Sequence, residues 1–233
     1  MKQPRWFGRS LVALVVVGGL LFACGSDDDD STLGGTVLEP GGSTITGDLD
    51  SANTNGDTSL AGITVEAESD RAVTATTDAA GGFTLIDAPT GDLLVTFTRG
   101  ACSSSFVLGN VISRSSLTLG GITVACDSAT VASIAETFRA VIFDDPPSPA
   151  TLINACVRVG GDNQFRDIDG STASVTDQAG NAATFELLAE ENLIEATGNR
   201  PAVGAAGVLD ATLIHIIEGD VIDPCSSTGL PPT

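Results

Sequence analysis

Positive charge and aromatic rings are what this chain most lacks. Its 233 residues hold 10 Lys and Arg against 30 Asp and Glu, for a formal net charge of −20. Lys2 is the single lysine, Trp6 the single tryptophan and His215 the single histidine, and there is no tyrosine. Each scarcity excludes a class of function. Nucleic-acid binding relies on Lys and Arg neutralising phosphates, so no nucleic-acid partner is expected. The same imbalance opposes adhesion to anionic membrane surfaces and favours solubility. With one imidazole, every Ser-His-Asp or Cys-His mechanism would have to pass through His215. That residue sits among branched aliphatics in Leu213 to Ile217, as a structural strand residue would, and no G-x-S-x-G elbow accompanies it. Carboxylate pairs occur at Asp144-Asp145, Asp167 with Asp169, and Glu190-Glu191. Glycosidases use such pairs, but no Tyr or Trp follows Trp6 to offer a sugar a platform, and the pairs read as solvated turn charges. The sequence therefore presents no enzyme: no catalytic residue and no cofactor site is expected.

Long apolar runs are also scarce, and the one present is at the start. Lys2, Arg5 and Arg9 precede Leu11 to Phe22, which is apolar or glycine throughout. About a dozen residues suit the core of a secretory signal and fall short of the ~20 that span a bilayer. The run ends Leu21-Phe22-Ala23-Cys24, followed by Gly25-Ser26 and four aspartates, Asp27 to Asp30. This arrangement resembles a bacterial lipoprotein signal. The resemblance implies cleavage after Ala23, lipid attachment at Cys24, and a membrane partnership made through that lipid. Gly25, rather than aspartate, follows the cysteine, which points to the outer membrane within the cell envelope. Removing residues 1–23 takes away Lys2, Arg5 and Arg9 and lowers the formal charge from −20 to −23. Residues 24–35 then read as an acidic tether, hydrated and self-repelling. Two acyl chains would hold firmly, at about 0.8 kcal/mol per buried methylene.

The rest of the chain carries an all-β signature, with Val, Ile, Thr and Phe in short runs broken by Gly, Asn and Asp. Its length suits two domains. In the first, residues 36–127, Ile63, Val65 and Ala67 share one face, as do Phe83 with Leu85, Leu93 with Val95 and Phe97, and Ile122 with Val124 and Cys126. Turn signals separate them at Asn55-Gly56-Asp57, Asp78 to Gly82 and Pro89 to Asp92. Such strands predict a sandwich of two sheets. The succession Gly35-Thr36-Val37, Leu60 to Val65, Thr76 to Leu85 and Ala88 to Thr98 resembles the carboxypeptidase regulatory-like domain, a transthyretin-like β-sandwich. Its most specific element is the hairpin phrase T-D-x-x-G-x-F-x-L. The resemblance implies a non-catalytic spacer or contact module, whose partner would be an envelope protein or a glycan.

The second domain, residues 131–225, shows strand patterns at Phe138 to Ile142, Ala155 to Val159, Ala173 to Thr176, Ala183 to Leu188, Leu193 to Thr197 and Val208 to Ile217. A small β-barrel or second sandwich is expected, followed by a flexible tail at 226–233. Leu193 to Gly198 and Gly207 to Ile216 resemble the final strands of small OB-like barrels. OB barrels bind oligonucleotides or oligosaccharides, but single-strand binding needs a basic groove and stacking aromatics. This segment has few arginines and no Tyr or Trp, so that function is not carried over. Thr176-Asp177-Gln178-Ala179-Gly180 echoes Thr77-Asp78-Ala79-Ala80-Gly81.

Cys102, Cys126, Cys156 and Cys225 remain after lipidation. An even number in an exported chain suggests two disulfides, and four cysteines allow three pairings. The domain division favours Cys102–Cys126 and Cys156–Cys225, contributing roughly 3 and about 4 kcal/mol by loop entropy. Without a C-x-x-C pair, zinc is not expected. Oxygen-rich segments at Asp48-Leu49-Asp50 with Asn53, Asn55 and Asp57, and at Asp167-Ile168-Asp169-Gly170, are read as loops. Counted as EF-hands they fail at both ends of the twelve-residue loop, so no metal site is assigned.

Overall fold

The structure is a computed structural model, which describes residues 41–143, 151–159, 162–201, 207–219 and Cys225. Ala23, Cys24, the acidic tether, Asp144-Asp145 and the tail at 226–233 lie outside the described residues. The described chain is all-β. Fifteen strands and one short 3₁₀ turn form it, and no described helix is long and apolar enough to cross a membrane.

The first half is a sandwich. One sheet carries β1 (Ser43–Asn53), β4 (Gly82–Ala88) and β7 (Ser116–Ala125), with β1 between antiparallel β4 and parallel β7. The facing sheet runs β3 (Ala72–Thr76), β2 (Thr64–Glu68), β5 (Gly91–Arg99), β6 (Cys102–Val111). Alternation sets which side chains meet between them. Ile45, Leu49, Leu85, Leu117 and Ile122 point in from one sheet, and Ile63, Val65, Leu93, Val95, Phe97 and Leu108 from the other, all buried. Phe97 anchors this core with Phe83 edge-on at 6.0 Å and Phe106 at 6.0 Å. Fully burying such a ring contributes about 2–3 kcal/mol. Cys102 at the start of β6 is bonded to Cys126 just after β7, Cα atoms 4.6 Å apart, so this disulfide joins the two sheets.

The phrase Thr77 to Gly82 forms the expected turn but not a hairpin. Asp78 Oδ1 accepts from the amides of Ala80 (2.8 Å) and Gly82 (2.9 Å), and Gly81 takes φ +91°, where glycine is favoured. The turn carries the chain from β3 in one sheet to β4 in the other, so the flanking strands do not pair. The echo at Asp177 uses the same chemistry: its Oδ1 accepts from Ala179 (2.9 Å) and Asn181 (2.8 Å), with Gly180 at φ +81°. There it does make a hairpin, between β12 (Ser174–Thr176) and β13 (Ala182–Ala183). The same local turn thus serves two different topologies.

The short β8 (Ala129–Thr130) leads into β9 (Ser133–Ile142), which opens the second half. With β10 (Leu152–Val159), β11 (Asp162–Asp169), β14 (Leu193–Arg200) and β15 (Leu209–Glu218) it closes a five-stranded ring in the order β9-β10-β11-β15-β14-β9. Only the β11–β15 contact is parallel. Phe138, Ala140, Ile142, Ile153, Ala155, Ile168, Ile194, Ala196, Ala211 and Ile214 fill it. Closure removes sheet edges. Two segments read as oxygen-rich loops prove to be strand: Asp48 and Asp50 lie in β1, and Asp167 and Asp169 in β11. The strand expected over 183–188 is instead a 3₁₀ turn, Phe185–Leu187, whose Phe185 packs half-buried on the barrel core beside buried Leu188. Cys156 of β10 is bonded to Cys225, Cα atoms 6.3 Å apart.

Strand β9 belongs to both halves. Along one edge it pairs with β14 for most of its length. Along the other it pairs first with β7, from Ser133 to Thr137, and then with β10, at Val141 and Ile142. The sandwich sheet and the barrel are therefore one continuous hydrogen-bonded sheet.

Candidate functional site

His215 lies on the outer side of β15, half-buried, with Nδ1 2.8 Å from Thr176 Oγ1. Register places it beside Glu195 of β14, which in turn faces Arg139 of β9. Arg139 Nε donates to Glu195 Oε2 at 2.9 Å. A polar row, Arg139–Glu195–His215–Thr176, thus crosses the outside of the barrel. Asp167, Asp169 and Asp57 are held by local structure. Asp167 accepts from Asn154 Nδ2 at 2.8 Å, and Asp169 from the Ser171 amide at 2.8 Å. The latter bond leads the causes that hold the Asp169 carboxyl below the usual aspartate range. Asp57 accepts from the Ser59 amide and pairs with Arg99 at 3.3 Å. Among the described residues no three His, Cys, Asp or Glu side chains come together as metal ligands would.

Sequence reading missed the most heavily buried charges. Glu136 of β9, Arg166 of β11 and Arg200 at the end of β14 are 1%, 2% and 7% exposed. Arg166 and Arg200 lie 3.3 and 3.4 Å from Glu136 Oε2. Both guanidinium groups also reach backbone carbonyls near the end of β6: Arg166 Nη2 donates to Asn110 O at 2.6 Å and Arg200 Nη2 to Gly109 O at 2.5 Å. Arg166 Nη1 donates to Gly207 O at 3.3 Å. Burial, first, and then the neighbouring Arg200 pull the Arg166 guanidinium below its ordinary value, with Glu136 opposing. The cluster fastens barrel to sandwich. Alternation held the clue, since Glu136 shares a face with Ile134 and Phe138, and Arg166 with Ile168.

A crevice opens where β9 changes partners. Between Thr137, the last residue paired with β7, and Val141, the first paired with β10, β9 has, among the described residues, a strand neighbour only on its β14 side. The opening, about 340 Å³, is lined by Ser113, Arg114, Ser116, Thr137, Arg139 and Glu195, with Phe138 and Val157 supplying apolar surface. That volume falls within the range of small-molecule sites. Arg114 projects from the turn Ile112 to Ser115, closed by the Ser115 amide on Ile112 O at 3.2 Å, and takes φ +57°. That left-handed conformation costs a side-chain-bearing residue about 1–2 kcal/mol.

A second, outward patch lies across the barrel. Phe143 and Phe165 meet edge-to-face at 5.4 Å, with Phe165 42% exposed. Asn154 and Asp167, hydrogen-bonded to each other, line a shallow opening of about 160 Å³ beside Phe165.

No known protein family, curated protein or solved structure matches this chain.

Proposed function

We propose that the chain is a non-catalytic, lipid-anchored lipoprotein of the bacterial cell envelope that presents a sandwich and a small barrel for structural or protein-interaction roles. The observation that carries this reading is the run Leu21-Phe22-Ala23-Cys24 behind a basic, apolar start. The two disulfides support an oxidising compartment, where such bonds persist. A sandwich of the carboxypeptidase regulatory type, and a barrel of OB-like kind, fit the strand patterns. For the barrel, the ring order β9-β10-β11-β15-β14 with one parallel contact supports the resemblance. A non-catalytic role is favoured by where the reactive side chains lie: His215 bonds Thr176, while Asp78, Asp169 and Asp177 cap backbone turns.

Metabolic labelling with palmitate tests the anchor. The full chain should take up label and fractionate with membranes, and Cys24→Ala should abolish both. Label retained by that variant refutes the assignment.

A second reading, a carbohydrate-binding surface module, is favoured by one observation. An exposed phenylalanine stands beside a paired amide and carboxylate, Phe165 with Asn154 and Asp167. An apolar ring face and bidentate polar groups are what a sugar ring and its hydroxyls need. A glycan array blank for the wild-type protein removes this reading.

A further inference from the structure

The structure assigns the crevice beside β9 as a binding site for a carboxylate, most suitably one carried on a small hydroxylated ligand such as a sugar acid. This site is separate from the Phe165 patch and does not depend on lipid anchoring. Three observations converge on it.

The first is the placement of scarce cations. Among the described residues Arg71 pairs with Asp87, Arg99 with Asp57, and Arg166 and Arg200 with Glu136. Arg139 pairs with Glu195 inside the crevice. Arg114 alone among the described arginine side chains has no hydrogen bond or ion pair with another described residue, and it lines the same crevice. In a chain this acidic, an uncompensated guanidinium is the exception, and it is aimed where space exists. Arg139 already holds one carboxylate there, so the crevice demonstrates the chemistry that Arg114 would repeat.

The second is backbone strain at Arg114. The αL position in this turn suits glycine, yet it carries an arginine at φ +57°. Strain of this kind is commonly retained where the side chain is needed. The third is the surroundings. Ser116 and Thr137 offer hydroxyls, and Phe138 and Val157 an apolar wall, around the two guanidinium groups. Neutral donors flanking a charged fork suit a singly charged carboxylate bearing hydroxyls, held by charge-assisted bonds.

The turn that carries Arg114 is held from below by Gly41, whose carbonyl accepts from Ser113 Oγ (2.8 Å) and from the Arg114 amide (3.3 Å). A side chain at Gly41 would lie 2.9 Å from Arg114 Nε, so glycine there leaves the guanidinium its room.

The test is titration of the full chain with D-galacturonate at low ionic strength, followed by amide and arginine side-chain NMR shifts, with galactose as the neutral control. Galacturonate should shift Arg114, Ser116 and Thr137, and galactose should not. Arg114→Gln should weaken binding about tenfold to a hundredfold, as loss of a charge-assisted bond does. Added salt should weaken it too. Arg114→Gly relieves the strained backbone, so it should melt no lower than the wild type while losing the ligand, which separates binding from folding. Absence of binding to the wild-type chain, or binding that survives Arg114→Gln, overturns the assignment.

Discussion

Glu136→Gln is the substitution that most sharply tests how the two halves are joined. Glutamine keeps the volume of glutamate, so packing around it is preserved and the change is electrostatic. In the native protein one buried carboxylate faces two buried guanidinium groups at 3.3 and 3.4 Å. Neutralising it leaves Arg166 and Arg200 with no counter-charge, only the backbone carbonyls of Gly109, Asn110 and Gly207 and the single amide oxygen that glutamine retains. Breaking a buried ion pair by removing one partner costs about 3–5 kcal/mol, against a total stability of roughly 5–15 kcal/mol for a typical domain. For a chain of this size each kcal/mol shifts the melting temperature by about 2–4 °C. The expected fall is therefore roughly 6–20 °C, read by far-UV circular dichroism or calorimetry. Glu195→Gln provides the control. Its partner Arg139 is 60% exposed, so that surface pair should be worth under about 1 kcal/mol. Equal losses at the two sites, or a loss under about 1 kcal/mol at Glu136, would refute the claim that the buried cluster holds the joint.

Three other outcomes are expected. Replacing Cys156 and Cys225 together by alanine opens a closure of 69 residues and should lower stability by about 4 kcal/mol in denaturant titration; an unchanged midpoint would show that the bond is not contributing. Gly198→Ala should cost about 1–3 kcal/mol by overpacking. A Cβ there would stand 2.2 Å from Asp210 O, a backbone atom that cannot swing away, where β14 and β15 slip register. Stability should also respond to acid with a defined sign. The Asn181 side chain, then backbone amides, hold the Asp177 carboxyl below its ordinary 3.8, and Arg71 does the same for Asp87. Groups lowered in the folded state stabilise it above their unfolded value, and that contribution disappears as pH falls through the folded value. Melting temperature should therefore hold steady near neutrality and decline below about pH 4. Asp87→Asn should make the decline shallower, and an unaltered slope would argue against the Arg71 pair as a contributor.

The inward-facing half of the fold was legible and the outward half was not. Ile63-Val65-Ala67 and Leu93-Val95-Phe97 announce their strands because the buried side of a sheet is uniformly apolar. Strands β1 and β11 hid for the converse reason. Asp48, Asp50, Asp167 and Asp169 are spaced two apart, as exposed strand positions are, but read locally they look like loop carboxylates. The turn at Asp78 was visible in its residues. Which sheet β4 would join was not, because an Asx turn fixes local backbone geometry and leaves the partner strand to the tertiary core. The Glu136 cluster was concealed by sequence distance: 30 residues separate Glu136 from Arg166 and 64 from Arg200. Only the closed ring brings them together. The crevice was equally hidden, since it exists solely because β9 exchanges one neighbour for another.

That exchange has a consequence for modularity. A protein whose two lobes share a strand cannot be divided by cutting between them. Ending the chain before Ser133 would strip β7 of its β9 partner along one edge and leave those backbone donors and acceptors open to other chains, while starting there would deprive the barrel's first strand of half its support along one edge. Genetic shuffling would meet the same obstacle, so the two lobes are a single unit of folding and of inheritance.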